Sequence, residues 1–93
     1  MVLIRFEPGL NRAAAYDKGE QIGECAFINY ADHWRIEHTE IDAAYRGQKI
    51  GEKLVDAIVK AARIARVKLD ARCPYAYRLL EKTEAYADIR YKG

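Results

Sequence analysis

Val2–Glu7 alternates apolar and polar residues, the period of a strand with one buried face. Pro8-Gly9 ends it. Ala13–Asp17 reads as a second, less regular strand. Asp17-Lys18-Gly19-Glu20 carries turn chemistry, with Gly19 suited to a positive φ. Gln21–Tyr30 follows as a longer strand, so a hairpin is expected. Ala31-Asp32-His33 makes the next turn and leaves His33 exposed. Trp34–Ile41 is a fourth strand. Strict alternation puts Trp34, Ile36 and His38 on one face and Arg35, Glu37 and Thr39 on the other.

The period then changes. Ile50, Leu54, Val55, Ile58, Val59 and Ala62 recur at helical spacing, predicting a helix from about Gly47 to Arg66. Asp56 and Lys60 form a well-oriented i,i+4 pair on its outer side. Val67–Arg72 is a fifth strand, with Val67 and Leu69 on one side. Pro74 suits the first turn of a helix, and Tyr75–Glu84 supplies one with Tyr75, Leu79 and Leu80 as its apolar stripe. Thr83–Gly93 is a tail without a clear pattern. The order β-β-β-β-α-β-α predicts an α+β fold. Hairpin links make the first four strands antiparallel, and a right-handed crossover makes the last two parallel. A mixed, mostly antiparallel sheet with a long helix packed on it is the expected architecture.

With 93 residues the chain is expected to form one domain, residues 1–93. No apolar run approaches the roughly 18 residues of a membrane helix. The start, Met1-Val2-Leu3-Ile4-Arg5, lacks the layout of a signal peptide, and two cysteines make no disulfide scaffold. A cytoplasmic location is the expectation. The charge is uneven. Residues 1–46 hold 5 Lys/Arg against 8 Asp/Glu, and the remainder 11 against 6. The basic half suits a phosphate-bearing ligand, or is simply a solvated helix face.

Ile41-Asp42-Ala43-Ala44-Tyr45-Arg46-Gly47-Gln48-Lys49-Ile50-Gly51 joins a strand to the long helix and puts two glycines at the helix start. The first amides of a helix have no internal partner, and its dipole is positive there, so an anion fits. Arg46 and Lys49 add full charges. A plain helix start with a tight turn remains the competing reading. The Walker loop is excluded because Gly51 precedes Glu52-Lys53. The dinucleotide fingerprint is excluded because these glycines follow four antiparallel strands.

Arg46-Gly47-Gln48-Lys49-Ile50-Gly51 resembles the Gln/Arg-x-x-Gly-x-Gly/Ala signature of the GNAT superfamily of acyl-CoA-dependent N-acetyltransferases. In that family the signature lies between the fourth strand and the long helix. The wider run of His38-Thr39-Glu40-Ile41, Tyr45-Arg46-Gly47-Gln48, Leu54-Val55, Cys73-Pro74-Tyr75 and Tyr86-Ala87-Asp88 resembles a minimal single-domain branch of it, with a Cys-Pro after the last strand. The likeness covers Trp34 to Asp88. It implies acetyl-CoA as co-substrate and an amine as acceptor. It also implies that Ile41, Arg46, Gly47, Gln48, Lys49, Ile50 and Gly51 hold the coenzyme, with backbone amides on its pyrophosphate. The first signature glycine is Lys49 here. A Cβ at that point crowds a pyrophosphate, whereas the ammonium attracts it. The extra elements that build the acceptor site in larger members have no counterpart, so the acceptor is not named.

On that resemblance, Cys73 would lie near the thioester, as nucleophile or as acid toward the leaving thiolate. A buried structural thiol is the alternative, and Cys25 within a strand reads as core. An amine must be neutral to attack, and His38 and Glu40, two apart on one strand, are the candidate bases. Tyr75 and Tyr77 are candidate acids. His33 and His38 make no metal-ligand spacing, so no metal is expected. The function expected is a small acetyl-CoA-dependent N-acyltransferase acting on an unidentified amine. The alternative is a non-catalytic acyl-CoA-binding or protein-interaction module of the same fold. A nucleic-acid binder using the basic face Lys49, Lys53, Lys60 and Arg63 is a third, less favoured reading, and stacking of bases on the tyrosines is disfavoured by the acidic strands. No membrane partner is expected, and a homodimer through a sheet edge is open to so small a domain.

Overall fold

The structure, a computed structural model, describes residues 1–92. The strands are β1 Val2–Glu7, β2 Arg12–Asp17, β3 Glu20–Asn29, β4 His33–Ile41 and β5 Lys68–Ala71. They form one sheet in the order β1-β2-β3-β4-β5. The first four are antiparallel and β5 lies parallel to β4. Helix α1 spans Ile50–Ala65 and α2 spans Pro74–Lys82. Element order and sheet type match the expectation from the hydrophobic pattern.

Local chemistry explains the joints. Asn11 takes a left-handed φ of 50° after the 3-10 turn Pro8–Leu10. Lys18 and Gly19 both have positive φ, as a two-residue hairpin between right-twisted strands requires. Arg66 closes α1 in the left-handed region, and the Val67 amide reaches back to the Ala62 carbonyl at 3.0 Å.

One face of the sheet is packed by α1. Ile36, Leu54, Val55, Ile58, Val59, Leu69 and Cys25 are its largest fully buried side chains. Each buried aliphatic side chain contributes about 1.5–3 kcal/mol. Phe6, Phe27 and Trp34 stack against this core, with Phe27 and Trp34 ring centroids 4.5 Å apart. The opposite face carries a ladder of polar side chains. Arg12 bonds Glu7 (2.7 Å) and Glu24 (2.9 Å), and Glu24 meets His38 at 2.8 Å.

Two expectations are corrected. The tail is folded through its described part: Glu84–Ile89 is a 3-10 helix and Arg90 bridges Leu69 of β5, while Gly93 lies outside the described residues. Arg90 donates to the carbonyls of Leu80, Glu81 and Thr83, so a cation covers the acceptors at the end of α2. His33 is not exposed but 8% accessible, the first residue of β4. The returning Tyr91 ring stacks on it at 3.8 Å, Tyr30 at 5.0 Å, and Asp32 meets its Nδ1 at 2.8 Å.

Candidate active site

The site begins where two parallel strands part. β4 and β5 pair only from His33–Ile36 against Lys68–Ala71. The amides of Arg72 and Cys73 then both turn onto the Ile36 carbonyl, at 2.8 and 3.3 Å. Past that point β4 continues to Ile41 paired with β3 alone. Among the described residues no strand pairs with its other backbone edge, which has peptide groups to offer a ligand.

A bulge opens at the same place. Ile36 pairs Phe27 and His38 pairs Ala26, so Glu37 is an extra residue on β4. It reverses the faces downstream. Trp34 and Ile36 are buried under α1, and Thr39 now shares that face, its hydroxyl 3.4 Å from the Cys25 sulfur and 3.7 Å from that of Cys73. His38 and Glu40 lie on the open face instead. The strict alternation expected from sequence, with His38 beside Trp34 and Ile36, fails at this one residue.

Below the split stands the start of α1. Lys49 is its N-cap residue at φ 60°, and no side chain caps the helix. The amides of the first turn therefore remain free for an anion. Gly47, at φ 85°, sets the preceding turn, a conformation that suits glycine. Helix α1 begins at Ile50 rather than Gly47, so the expected boundary ran three residues early. Gly51 lies inside the first turn for a different reason. A Cβ there would come 2.8 Å from the Tyr75 hydroxyl and 2.9 Å from its ring. Glycine thus lets the Tyr75 ring lie directly on the helix start.

Split, bulge and helix start enclose a cavity of about 640 Å³, within the usual range for small-molecule sites. Of the expected coenzyme residues, Ile41, Arg46, Gly47, Lys49, Ile50 and Gly51 line it, and Gln48 does not. Glu40 lines it, whereas His38 and Cys73 do not. Thr39, Tyr45 and Glu52 line it without having been given a role in the sequence reading. Tyr75 lines it as well, while Tyr77 is at the surface. The ion pair expected between Asp56 and Lys60 is present at 3.0 Å.

The electrostatics follow from these neighbours. Burial raises the Tyr75 hydroxyl pKa, and the nearby Glu52 carboxylate adds to the effect. Tyr45 donates to Asp17, which raises the tyrosine and holds the Asp17 carboxyl below its ordinary value. That bond ties the turn before α1 to the β2–β3 hairpin. Burial pushes the Cys25 thiol up to about 12, an inert protonated core thiol. Cys73 is 8% accessible and is the residue just before α2, its carbonyl accepting the Tyr77 amide at 2.8 Å. The Thr39 hydroxyl contacts both thiols, and Thr39 is one of the residues that line the cavity.

A shallower groove lies on the open face, lined by Gln21, Gly23, Glu24, Glu40, Ile41 and Asp42. Glu40 and Ile41 line both it and the main cavity. A third groove follows α1 outward past Lys49, Lys53 and Lys60.

Comparison with known proteins agrees with this layout. A family model described as GCN5-related N-acetyl-transferase matches residues 12–89. A GCN5-like candidate N-acetyltransferase from Staphylococcus aureus, solved by NMR, has 28% sequence identity and a TM-score of 0.74. The match covers 98% of this chain and 89% of that one. Ribosomal-protein-alanine N-acetyltransferase from Brucella melitensis biovar Abortus 2308 shares the fold at 20% identity and a TM-score of 0.67, over 88% of this chain and 68% of that one. So does N-acetylglutamate synthase from Neisseria gonorrhoeae, solved with coenzyme A and N-acetyl-glutamate, at 19% identity and a TM-score of 0.60. That match covers 75% of this chain and 19% of that one. Comparison with curated proteins gives no match.

Proposed function

The chain belongs to the GCN5-related N-acetyltransferases, and from that premise we propose that it moves an acetyl group from acetyl-CoA to an amine in the cavity between the β4 split and the start of α1. One observation carries the reading: an uncapped helix start and an open strand edge line the same cavity. The first holds an anion, and the second pairs with an extended, amide-bearing chain.

In this reading the amides of the first α1 turn, with Arg46 and Lys49, hold the pyrophosphate. The adenosine end runs out along Lys53 and Lys60. The backbone of Glu40 and Ile41 bonds the pantetheine amides as a missing strand would and aims the thioester at the split. The amine enters from the open-face groove and meets Glu40 and His38, which take its proton. As nitrogen bonds the acyl carbon and the carbon–sulfur bond breaks, Tyr75 gives its proton to the departing sulfur. Products are the acetylated amine and free coenzyme A, and the proton taken by Glu40 and His38 is exchanged through solvent as Tyr75 regains its own.

Cys73 is assigned a positioning role. It is not among the residues that line the cavity, and its thiol contacts the hydroxyl of Thr39, which is. The transfer is then direct, without an acetyl-cysteine. The test combines two readouts. Free thiol released from acetyl-CoA is followed with a panel of primary amines, and the protein incubated with acetyl-CoA alone is weighed intact. The expected outcome is amine-dependent release, reduced about 10²-fold or more in Tyr75→Phe, and an unmodified protein mass. An acetyl adduct that disappears in Cys73→Ala would establish the covalent route instead. No release with any amine would leave a non-catalytic acyl-CoA-binding module.

A further inference from the structure

The open face carries a group that the spacing of histidines along the chain does not reveal. Glu24 on β3 and His38 and Glu40 on β4 converge, each offering one ligand atom, with all three atoms within 4.8 Å of one another. His38 Nε2 stands 2.8 Å from Glu24 Oε2 and 3.6 Å from Glu40 Oε1. A tetrahedral zinc ion with bonds of 2.0–2.2 Å needs its ligand atoms about 3.3 Å apart. The two separations from His38 Nε2 bracket that value, and the two carboxylate oxygens lie within 4.8 Å of each other, close enough for the side chains to converge on one ion. We propose that Glu24, His38 and Glu40 form a zinc(II) site on the open face of the sheet, with the fourth position left to water.

The charge balance of the group and its donor set support it. Glu24 and Glu40 are direct cross-strand partners, and like charges in that position repel. A cation between them removes the repulsion. Arg12 does not fill that place, because it takes the other oxygen of Glu24, Oε1, and is shared with Glu7; the His38 ring nitrogen lies between the two carboxylates, and zinc would take over its hydrogen bond to Glu24. The immediate group thus has three carboxylates against one guanidinium, and Glu24 Oε2 remains turned toward His38. The donor set of one imidazole and two carboxylates with an open position suits zinc, which has no geometric demand of its own. The pairing needs no rearrangement of backbone, since all three side chains stand on paired strands. Exposure of His38 and Glu40 leaves the approach open.

Zinc would occupy the two groups proposed above to take the amine's proton, so binding would compete with acyl transfer; it is tested without acetyl-CoA or amine. Zinc chloride is titrated into untagged, metal-free protein, following heat and the ring nitrogen shifts of both histidines by NMR. The expected result is saturation at one zinc per chain, with the His38 Nε2 signal moving and the His33 ring unmoved. His38→Ala and Glu40→Gln each weaken binding at least tenfold. Both side chains are at the surface, so the fold survives and the comparison holds. Binding unchanged in either variant, shifts centred on His33 or on the two buried thiols, or no saturation at millimolar zinc would overturn the proposal.

Discussion

Lys49 occupies a position where a residue with a side chain should be at a disadvantage. Its φ of 60° lies in the left-handed region, at the place of the first signature glycine. The left-handed conformation costs an L-residue about 1–2 kcal/mol. Glycine removes that cost but brings back about 0.5–1 kcal/mol of unfolded-chain freedom. Lys49→Gly should therefore stabilise the fold by about 0.5–1 kcal/mol. At about 4–8 °C per kcal/mol for a domain of this size, the melting temperature rises by about 2–8 °C. Lys49→Ala keeps the strained backbone and gains nothing comparable. The two substitutions also separate charge from bulk in coenzyme binding. The backbone already has the glycine-like conformation, so the amides are placed and only the ammonium is lost. An exposed charge of this kind is worth about 0.2–1 kcal/mol, or up to about fivefold in affinity. Both variants should weaken acetyl-CoA binding to that extent, by calorimetry at low salt. The difference from the parent should vanish at 1 M salt, where the screening length is about 3 Å. A destabilised Lys49→Gly would refute the strain argument. A Lys49→Gly that binds acetyl-CoA tighter than the parent would show that the Cβ crowds the site and outweighs the charge.

Gly51→Ala should swing the Tyr75 ring off the helix start, because the new Cβ comes within 2.8–3.0 Å of its outer atoms. Helix propensity gains about 0.8–1 kcal/mol and offsets the lost contact, so stability holds while turnover falls toward that of Tyr75→Phe. The double variant should be no slower than Tyr75→Phe alone, and additive losses in a thiol-release assay would contradict the shared cause. Tyr45→Phe should return the Asp17 carboxyl toward its ordinary value near 3.8, read by carboxyl-carbon NMR titration. Because the folded-state pKa of Asp17 is depressed, its contribution is present above the unfolded value and lost as pH falls through the folded one. The stability gap between parent and Tyr45→Phe should accordingly narrow below about pH 4, and a gap constant down to pH 2 would rule this linkage out.

The element order was readable because each segment has a distinct period. Ile50, Leu54, Ile58 and Ala62 mark one helix face, and Val2–Glu7 alternates. The stretch Arg46–Gly51 stands out because its glycines and cations fall just before a helix, a pattern that an anion site and a plain tight turn share. The Glu37 bulge was not, since an extra residue in a strand leaves the composition unchanged and is visible only against β3. That single residue moved Thr39 to the core side and His38 to the open side. The thiol–hydroxyl contacts of Cys25, Thr39 and Cys73 join β3, β4 and the turn before α2, which no local window contains. Tyr45 is four residues from Ile41, yet its partner Asp17 comes from a distant hairpin. His33 looked like an ordinary turn residue because the ring that covers it, Tyr91, returns from the far end of the chain.

The central claim is that one cavity, between the β4 split and the start of α1, binds the coenzyme. An amide NMR titration with acetyl-CoA tests it most directly. Saturable shifts should centre on Gly47–Glu52 and extend along Thr39–Ile41 to Tyr75, with β1 unmoved. Shifts centred elsewhere, or none at millimolar acetyl-CoA, would contradict it.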